Sequence, residues 1–326
     1  MNAIILVGGQ GMRLRPLTAH RHKSLVPVAN RPAISHLFEW LRANGVDRVV
    51  LALGQQNEDL AEAFPAGSVA GLEIVPVFEQ GRLESGGAIR NAVEEAKIEE
   101  RFLVLNGDVF VEFALEKAIA EHERTQAKLT LALARVDDPS PFGVAVTDAS
   151  GRVTGFVEKP PRASAPSNLA NAGAWIFERE IVGQIPAGAV RVEETLFPSL
   201  VVRGNAVCGY SIEGLWADIG TPARYLELNI ALARRMADGP GKVASFVGPG
   251  CVVAETASIE ESVLWEGGTV GEGAVVRRSV LADGVRIGAG AQVDGLVAGR
   301  GAIVPEGSVV PADTVLHPGS TYHQDG

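Results

Sequence analysis

The sequence predicts an α/β domain on a mainly parallel sheet, followed by a coil of short stacked strands. Two observations predict it. Through the first part of the chain, short apolar runs alternate with amphipathic helical periods, the order that puts helices on both faces of a parallel sheet. From residue 243 onward, aliphatic residues recur about every six positions with Gly and small residues between them, the pattern of a β-helix. The expected domains are therefore 1–238 and 243–326, joined by the turn-forming linker Asp238-Gly239-Pro240-Gly241.

The elements follow in order. Residues 3–7 form a short apolar run closed by Gly8 and Gly9, which suits a strand buried on both faces. Over 32–44, Ile34, Leu37, Phe38 and Leu41 recur at helical spacing and Gly45 supplies the stop. Phe38 and Trp40 are packing residues of that helix. Strands are expected at 46–53, 72–78 and 102–106, and helices at 55–64 and 87–96. Shorter strands at 129–135, 143–147, 153–158 and 170–177, a Pro-containing loop at 160–166 and a helix at 225–236 complete the first domain. In the repeat, the aliphatic register runs through Val247, Val253, Ile259, Trp265, Val270, Val276, Leu281, Ile287 and Val293.

Composition narrows the function. The 326 residues carry a net charge of -10, which argues against nonspecific nucleic-acid binding. The two cysteines, Cys208 and Cys251, stand far apart with no Cys or His cluster, so reduced thiols are expected and a zinc site is not. No run approaches the roughly 18 apolar residues of a membrane span, and the start, Met1 to Gly9, lacks the pattern of a signal peptide. A cytoplasmic protein without membrane association is the expectation.

Chemistry enters where the strands end. Ligands of parallel sheets gather beyond the carboxyl ends of the strands, and both Gly8 and Asn106-Gly107-Asp108 stand there. The string Gly8-Gly9-Gln10-Gly11-Met12-Arg13 is a glycine loop whose backbone N–H groups approach a polyphosphate, with Arg13 and Lys23 to neutralise it. It is neither a Walker loop nor a GxGxxG fingerprint, which disfavours a nicotinamide cofactor. Asp108 and Asp218 offer hard oxygen ligands suited to Mg²⁺. His20 and His22 flank Lys23 and read as part of a solvated loop.

The whole string through Leu14-Arg15-Pro16-Leu17-Thr18, Lys23 and Pro27-Val28 resembles the signature of the sugar-phosphate nucleotidyltransferases. Further matches follow in order: Asn106-Gly107-Asp108, Phe142-Gly143-Val144, Glu158-Lys159-Pro160, Asn168 to Gly173, and Trp216-Ala217-Asp218-Ile219-Gly220-Thr221-Pro222. The resemblance covers residues 1–236, and the appended repeat resembles the left-handed β-helix of the mannose-1-phosphate guanylyltransferase and glucose-1-phosphate nucleotidyltransferase branches. It implies a Rossmann-like nucleotidyltransferase domain that joins a nucleoside triphosphate to a sugar 1-phosphate and releases pyrophosphate. Met12 stands where the family has Thr, Ser24 where it has Pro, and Glu84-Ser85-Gly86-Gly87 departs from its Gly-Thr-Ala-Gly stretch.

On that resemblance, Arg13, Lys23 and Asp108 are catalytic, and Asp108 and Asp218 hold Mg²⁺. Leu6, Gly8, Gly9, Gly11, Met12, Glu79, Ser85, Gly87, Asn106 and Gly107 bind the nucleotide. Gly143, Glu158, Lys159, Asn171 and Gly173 face the sugar phosphate. A carboxylate at Glu79 accepts from guanine N1–H and its amino group together, where uracil offers one N–H. With residues 138–173 most similar to the mannose branch, the expected pair is GTP and mannose 1-phosphate. The alternatives are UTP, dTTP or ATP with glucose 1-phosphate or an N-acetylated sugar 1-phosphate, or a noncatalytic regulatory homologue. Hexapeptide coils also occur in acyltransferases that use a histidine base, but residues 243–316 contain no His. The aliphatic outer faces of the repeat predict a homo-oligomer.

Overall fold

The computed structural model describes residues 1–55, 57–204, 207–236 and 244–323. They form two compact units, Met1–Gly9 with Ile34–Trp216, and Gln10–Ala33 with Ala217–Gly326. The linker expected at 238–241 lies outside the described residues. Among the described residues no helix is long and apolar enough to cross a membrane.

The first unit is built on a mixed ten-stranded sheet. Its elements are β1 (Asn2–Leu6), α1 (Ala33–Ala43), β2 (Arg48–Leu53), α2 (Glu58–Ala63), β3 (Gly67–Val69), β4 (Leu72–Phe78), α3 (Glu84–Glu95), β5 (Phe102–Asn106), α4 (Leu115–Arg124), β6 (Leu129–Arg135), β7 (Gly143–Thr147), β8 (Val153–Glu158), β9 (Leu169–Phe177), α5 (Leu196–Val202) and β10 (Val207–Ser211). The strand order is β8-β7-β9-β5-β1-β2-β4-β3, with β6 also on β9 and β10 on β6. The centre, β5-β1-β2-β4, is parallel. Those strands are near-continuous apolar runs because both faces are covered: Ala3, Ile4, Ile5, Val49, Val50 and Leu51 have no exposed surface. Each such Ile or Val contributes about 2 kcal/mol by leaving water.

Two helix starts of this unit lie three residues from the sequence expectation, as does that of the helix expected at 225–236, which begins at Pro222. α2 begins at Glu58 because the Asn57 amide donates to the Val7 carbonyl and its N–H to the Gly54 carbonyl, which keeps Asn57 out of the helix. α3 begins at Glu84, through Gly86 and Gly87, because those glycines pack on the segment ending at Val190. A Cβ at Gly87 would stand 2.6 Å from the Gly188 carbonyl oxygen, so tertiary packing overrides the low helix propensity of glycine.

In the second unit, α6 (Pro222–Met236) buries Tyr225, Leu228, Asn229 and Leu232, one stripe at helical spacing. The repeat winds into three parallel sheets, in which Val263 pairs with Val280 and Val280 with Val297, a coil of 17 residues. Its interior holds Leu264, Val270, Val276, Leu281, Ile287, Val293, Ala298, Val304 and Val310. Two steps of six and one of five close each turn up to Ala298, and the last, from Ala298 to Leu316, takes three steps of six, so Leu264 rather than the expected Trp265 points inward. Trp265 is buried outside the coil and donates its Nε1 proton to the Tyr225 hydroxyl, 2.9 Å.

Candidate active site

In the first unit the parallel strands end together. Leu6 pairs with Asn106 and Ala52, and its carbonyl accepts the Gly107 N–H at 2.9 Å. The next turn therefore brings Gly8 against the end of β4. A Cβ on Gly8 would lie 3.2 Å from Glu79 Oε1, so backbone and carboxylate meet there. Glu79 is 6% exposed, and its Oε2 accepts the Leu83 N–H at 3.0 Å. Burial raises its pKa, the Leu83 bond opposes that, and Glu84 adds to it. Gly8 and Gly9 are themselves exposed. Ser85 Oγ donates to Glu193 Oε2 at 2.6 Å and accepts the Val192 N–H.

Of the residues expected to face the sugar phosphate, Asn171 and Gly173 lie at a break in β9. Its register on β6 shifts between Asn171 and Trp175, and Gly173 within the break has φ +69°. A Cβ there would stand 2.6 Å from Asn106 Nδ2, which places the break against the end of β5 and requires glycine. Asn171 Oδ1 accepts from the Gly173 N–H and from Trp175 Nε1. Gly143 pairs with Glu158, and a Cβ on it would stand 2.7 Å from Glu158 Oε2. Lys159 Nζ lies 2.9 Å from Glu158 Oε1, so carboxylate and ammonium are presented together. Asp108, half-buried, follows Gly107 in the same unit.

In the second unit the signature loop folds on itself. Gly11 has φ +61°, and a Cβ on it would meet Lys23 Cβ and Thr18 Cγ2 at 3.1 Å. Thr18 Oγ1 donates to the Gly11 carbonyl at 2.7 Å. Met12 and Arg13 are exposed while Leu14 is buried, which anchors the short helical turn Met12–Leu14 with its arginine outward. His22 is not solvated as expected: it is 8% exposed, and its Nδ1 accepts the Ser24 N–H to cap the turn that carries Lys23. Asp218 Oδ2 accepts from Arg224 at 2.8 Å. A Cβ on Gly220 would stand 2.5 Å from Asp218 Oδ1 and 3.1 Å from Arg13 Nη2, so this carboxylate and this guanidinium lie close together.

Sequence reasoning missed three groups. Glu193 is half-buried, and the desolvation of its carboxylate raises its pKa; it anchors Ser85, and the charges of Glu158 and Arg191 act on it. A desolvated acid was not readable from Arg191-Val192-Glu193-Glu194, which looks like an exposed charged stretch. Arg224 fixes Asp218, and its placement at the start of α6 was the available signal. Tyr225, fully buried, donates to the Pro27 carbonyl beyond Lys23.

The profile of the family described as "Nucleotidyl transferase" matches residues 2–235, and that of "GlmU-like, C-terminal hexapeptide" matches residues 233–322. A mannose-1-phosphate guanylyltransferase of Mycobacterium tuberculosis is 36% identical over 242 residues, covering 74% of this chain and 67% of that protein. Mannose-1-phosphate guanylyltransferase 1 of Arabidopsis thaliana is 36% identical over 274 residues, 81% of this chain and 74% of that protein. The crystal structure of HddC from Yersinia pseudotuberculosis complexed with GMP-PN shares the fold, with TM-score 0.60 and 24% identity over 70% of this chain and 97% of that one. The chain therefore belongs to the nucleotidyl transferase family and carries a GlmU-like hexapeptide domain.

Proposed function

We propose that this protein is a magnesium-dependent enzyme that converts GTP and mannose 1-phosphate to GDP-mannose and pyrophosphate. The observation that carries the choice of base is the buried Glu79 carboxylate beside Gly8, an acceptor for guanine N1–H and the 2-amino group. The relatives named mannose-1-phosphate guanylyltransferase support the sugar.

A phosphate oxygen of mannose 1-phosphate attacks the α-phosphorus in line, and the bond to the bridging oxygen of pyrophosphate breaks. Both reactants are anions, so the protein contributes position and neutralising charge. Arg13 takes charge from the leaving phosphates and Lys23 from the α-phosphate. Glu158 accepts from mannose hydroxyls while Lys159, paired with it, holds the sugar phosphate. The oxygen donors of Asp108 and Asp218 suit Mg²⁺, and the missing Cβ of Gly220 leaves a cradle beside Asp218 Oδ1. Substrate phosphates and water would supply the remaining ligands of an ion held by these two carboxylates. When bound, the cation supplies Lewis-acid stabilisation of phosphate charge.

The test is a matrix of ATP, GTP, UTP and dTTP against mannose, glucose and N-acetylglucosamine 1-phosphates, reading pyrophosphate. GTP with mannose 1-phosphate gives the highest kcat/KM; a different best pair overturns the assignment, and silence in every cell overturns the enzyme. We further propose a cytoplasmic homo-oligomer. Val252 and Val309 on the coils, 65% and 52% exposed, support assembly, and a monomeric mass by light scattering contradicts it.

A further inference from the structure

Within the first unit, the turn that opens α3 is tied to the segment before α5 by hydrogen bonds. The Val190 N–H donates to the Leu83 carbonyl at 3.2 Å, and the Gly86 N–H to the Val190 carbonyl at 2.8 Å. The Ser85 hydroxyl adds two more: it accepts the Val192 N–H at 3.1 Å and donates to Glu193 Oε2 at 2.6 Å, the shortest of these bonds. The same turn also holds the carboxylate proposed to read the base, because the Leu83 N–H donates to Glu79 Oε2 at 3.0 Å. Glu79, Leu83, Ser85 and Glu193 thus lie along one connected path, and no step of the transfer described above uses Glu193.

A neutral acceptor would hold Ser85 without the cost of desolvating a charge. Glu193 bears that cost: it is half-buried, and loss of water around its carboxylate raises its pKa. What a carboxylate adds is direction. It only accepts, so the single Ser85 proton must point at it. With that proton committed and the Val192 N–H on one lone pair, the hydroxyl cannot turn. An amide at 193 could rotate its NH₂ toward Ser85 and undo that choice. The backbone around the bond is equally fixed. Val192 has no exposed surface, and a Cβ on Gly86 would stand 2.9 Å from the Val190 carbonyl oxygen, so turn and segment are in close contact. Arg191, paired with Glu194 at 2.9 Å, places a positive charge near Glu193, and Glu158 of the sugar-facing set adds a negative one.

We infer that Glu193 is a positioning residue of the transfer reaction: through the Ser85 hydroxyl it fixes the turn that receives the nucleotide, and so sets the affinity for the triphosphate. The inference deepens the transfer reading given above and rests on it.

The test is steady-state kinetics of the full chain, varying GTP and mannose 1-phosphate separately, with thermal unfolding alongside. Losing an interaction made equally in the bound and transition states raises KM and leaves kcat. Glu193→Leu raises KM for GTP at least about tenfold, the worth of a hydrogen bond to a charged group. Its kcat and its KM for mannose 1-phosphate stay within about threefold of the wild type. Glu193→Gln, which can still accept the Ser85 proton, returns KM for GTP to within about threefold. Ser85→Ala raises KM for GTP as well, and adding it to Glu193→Leu costs no more than about a further twofold, because both remove one bond. Ser85→Ala, which deletes a single oxygen, carries the comparison if Glu193→Leu does not fold. A fall in kcat that matches the rise in KM, no recovery in Glu193→Gln, fully additive losses, or an unchanged KM for GTP in Ser85→Ala overturns the inference. A wild type that prefers another triphosphate overturns the choice of base alone, and the same comparison is then made with that nucleotide. A wild type without turnover overturns the transfer reading and this inference with it.

Discussion

Replacing Gly220 by Ala adds one methyl group and removes no charge, yet it would stand 2.5 Å from Asp218 Oδ1 and 3.1 Å from Arg13 Nη2. Gly220 is not in the left-handed region, so Ala meets no backbone strain there. A carbon–oxygen contact relaxes near 3.5 Å, so the carboxylate must retreat by about 1 Å. It is held from the other side by Arg224 at 2.8 Å and cannot do so freely. A misplacement of about 1 Å at a reacting centre costs on the order of 100-fold in rate, or about 2.7 kcal/mol of barrier. The overpacking itself costs about 1–3 kcal/mol of stability, a fall in melting temperature of several degrees. The assay is pyrophosphate release from GTP and mannose 1-phosphate over a range of Mg²⁺ concentrations, with thermal unfolding alongside. We expect kcat to fall about 100-fold and the Mg²⁺ requirement to rise in a folded protein. A folded variant whose kcat stays within about threefold of wild type, about a quarter of that barrier change or less, would place Asp218 and Arg13 away from the reacting phosphates and refute the reasoning.

Other substitutions probe the remaining parts. Asp108→Asn and Asp218→Asn each lower turnover by about 100-fold or more with circular dichroism unchanged; near-normal rates in either remove that residue from the cation site. Glu79→Gln lowers kcat/KM for GTP about 10–100-fold, the worth of a hydrogen bond to a charged group, and affects inosine triphosphate less because it lacks the 2-amino group; equal losses for the two nucleotides contradict base reading. Burial raises the Glu79 pKa, so the folded chain protonates this group at a higher pH than the unfolded chain does. Its carboxylate, and with it the preference for GTP, is present above that raised value and lost as pH falls through it, while Glu79→Gln flattens this limb of the profile. Leu281→Ala, at a position 2% exposed inside the coil, costs about 2–5 kcal/mol in chemical denaturation; a loss under about 1 kcal/mol contradicts its inward placement.

The parallel centre of the sheet was legible because buried strands such as Ala3-Ile4-Ile5 and Val49-Val50-Leu51 are apolar on both faces, and burial is what composition records. The coil was legible for the same reason, but its pitch was not. A regular step of six selects Trp265, while the five-residue step to Leu264 is set by backbone pairing along three sheets. The glycines were legible as a loop; what they make room for was not. Gly173 is required by the Asn106 side chain and Gly220 by Arg13 as well as by the nearby Asp218, and both Asn106 and Arg13 are distant in sequence from the glycine they meet. The buried His22 and the desolvated, half-buried Glu193 were misjudged or missed because a polar residue in a polar stretch carries no mark of its surroundings.

The central claim is that this chain joins guanylyl and mannosyl phosphates through its own carboxylates and cations, and its reverse reaction tests it most directly. Phosphorus NMR of the purified protein with GDP-mannose, pyrophosphate and Mg²⁺ should show GTP and mannose 1-phosphate rising in equal amounts, and excess EDTA should stop both. Unchanged spectra, or release of GDP without GTP, would contradict the account.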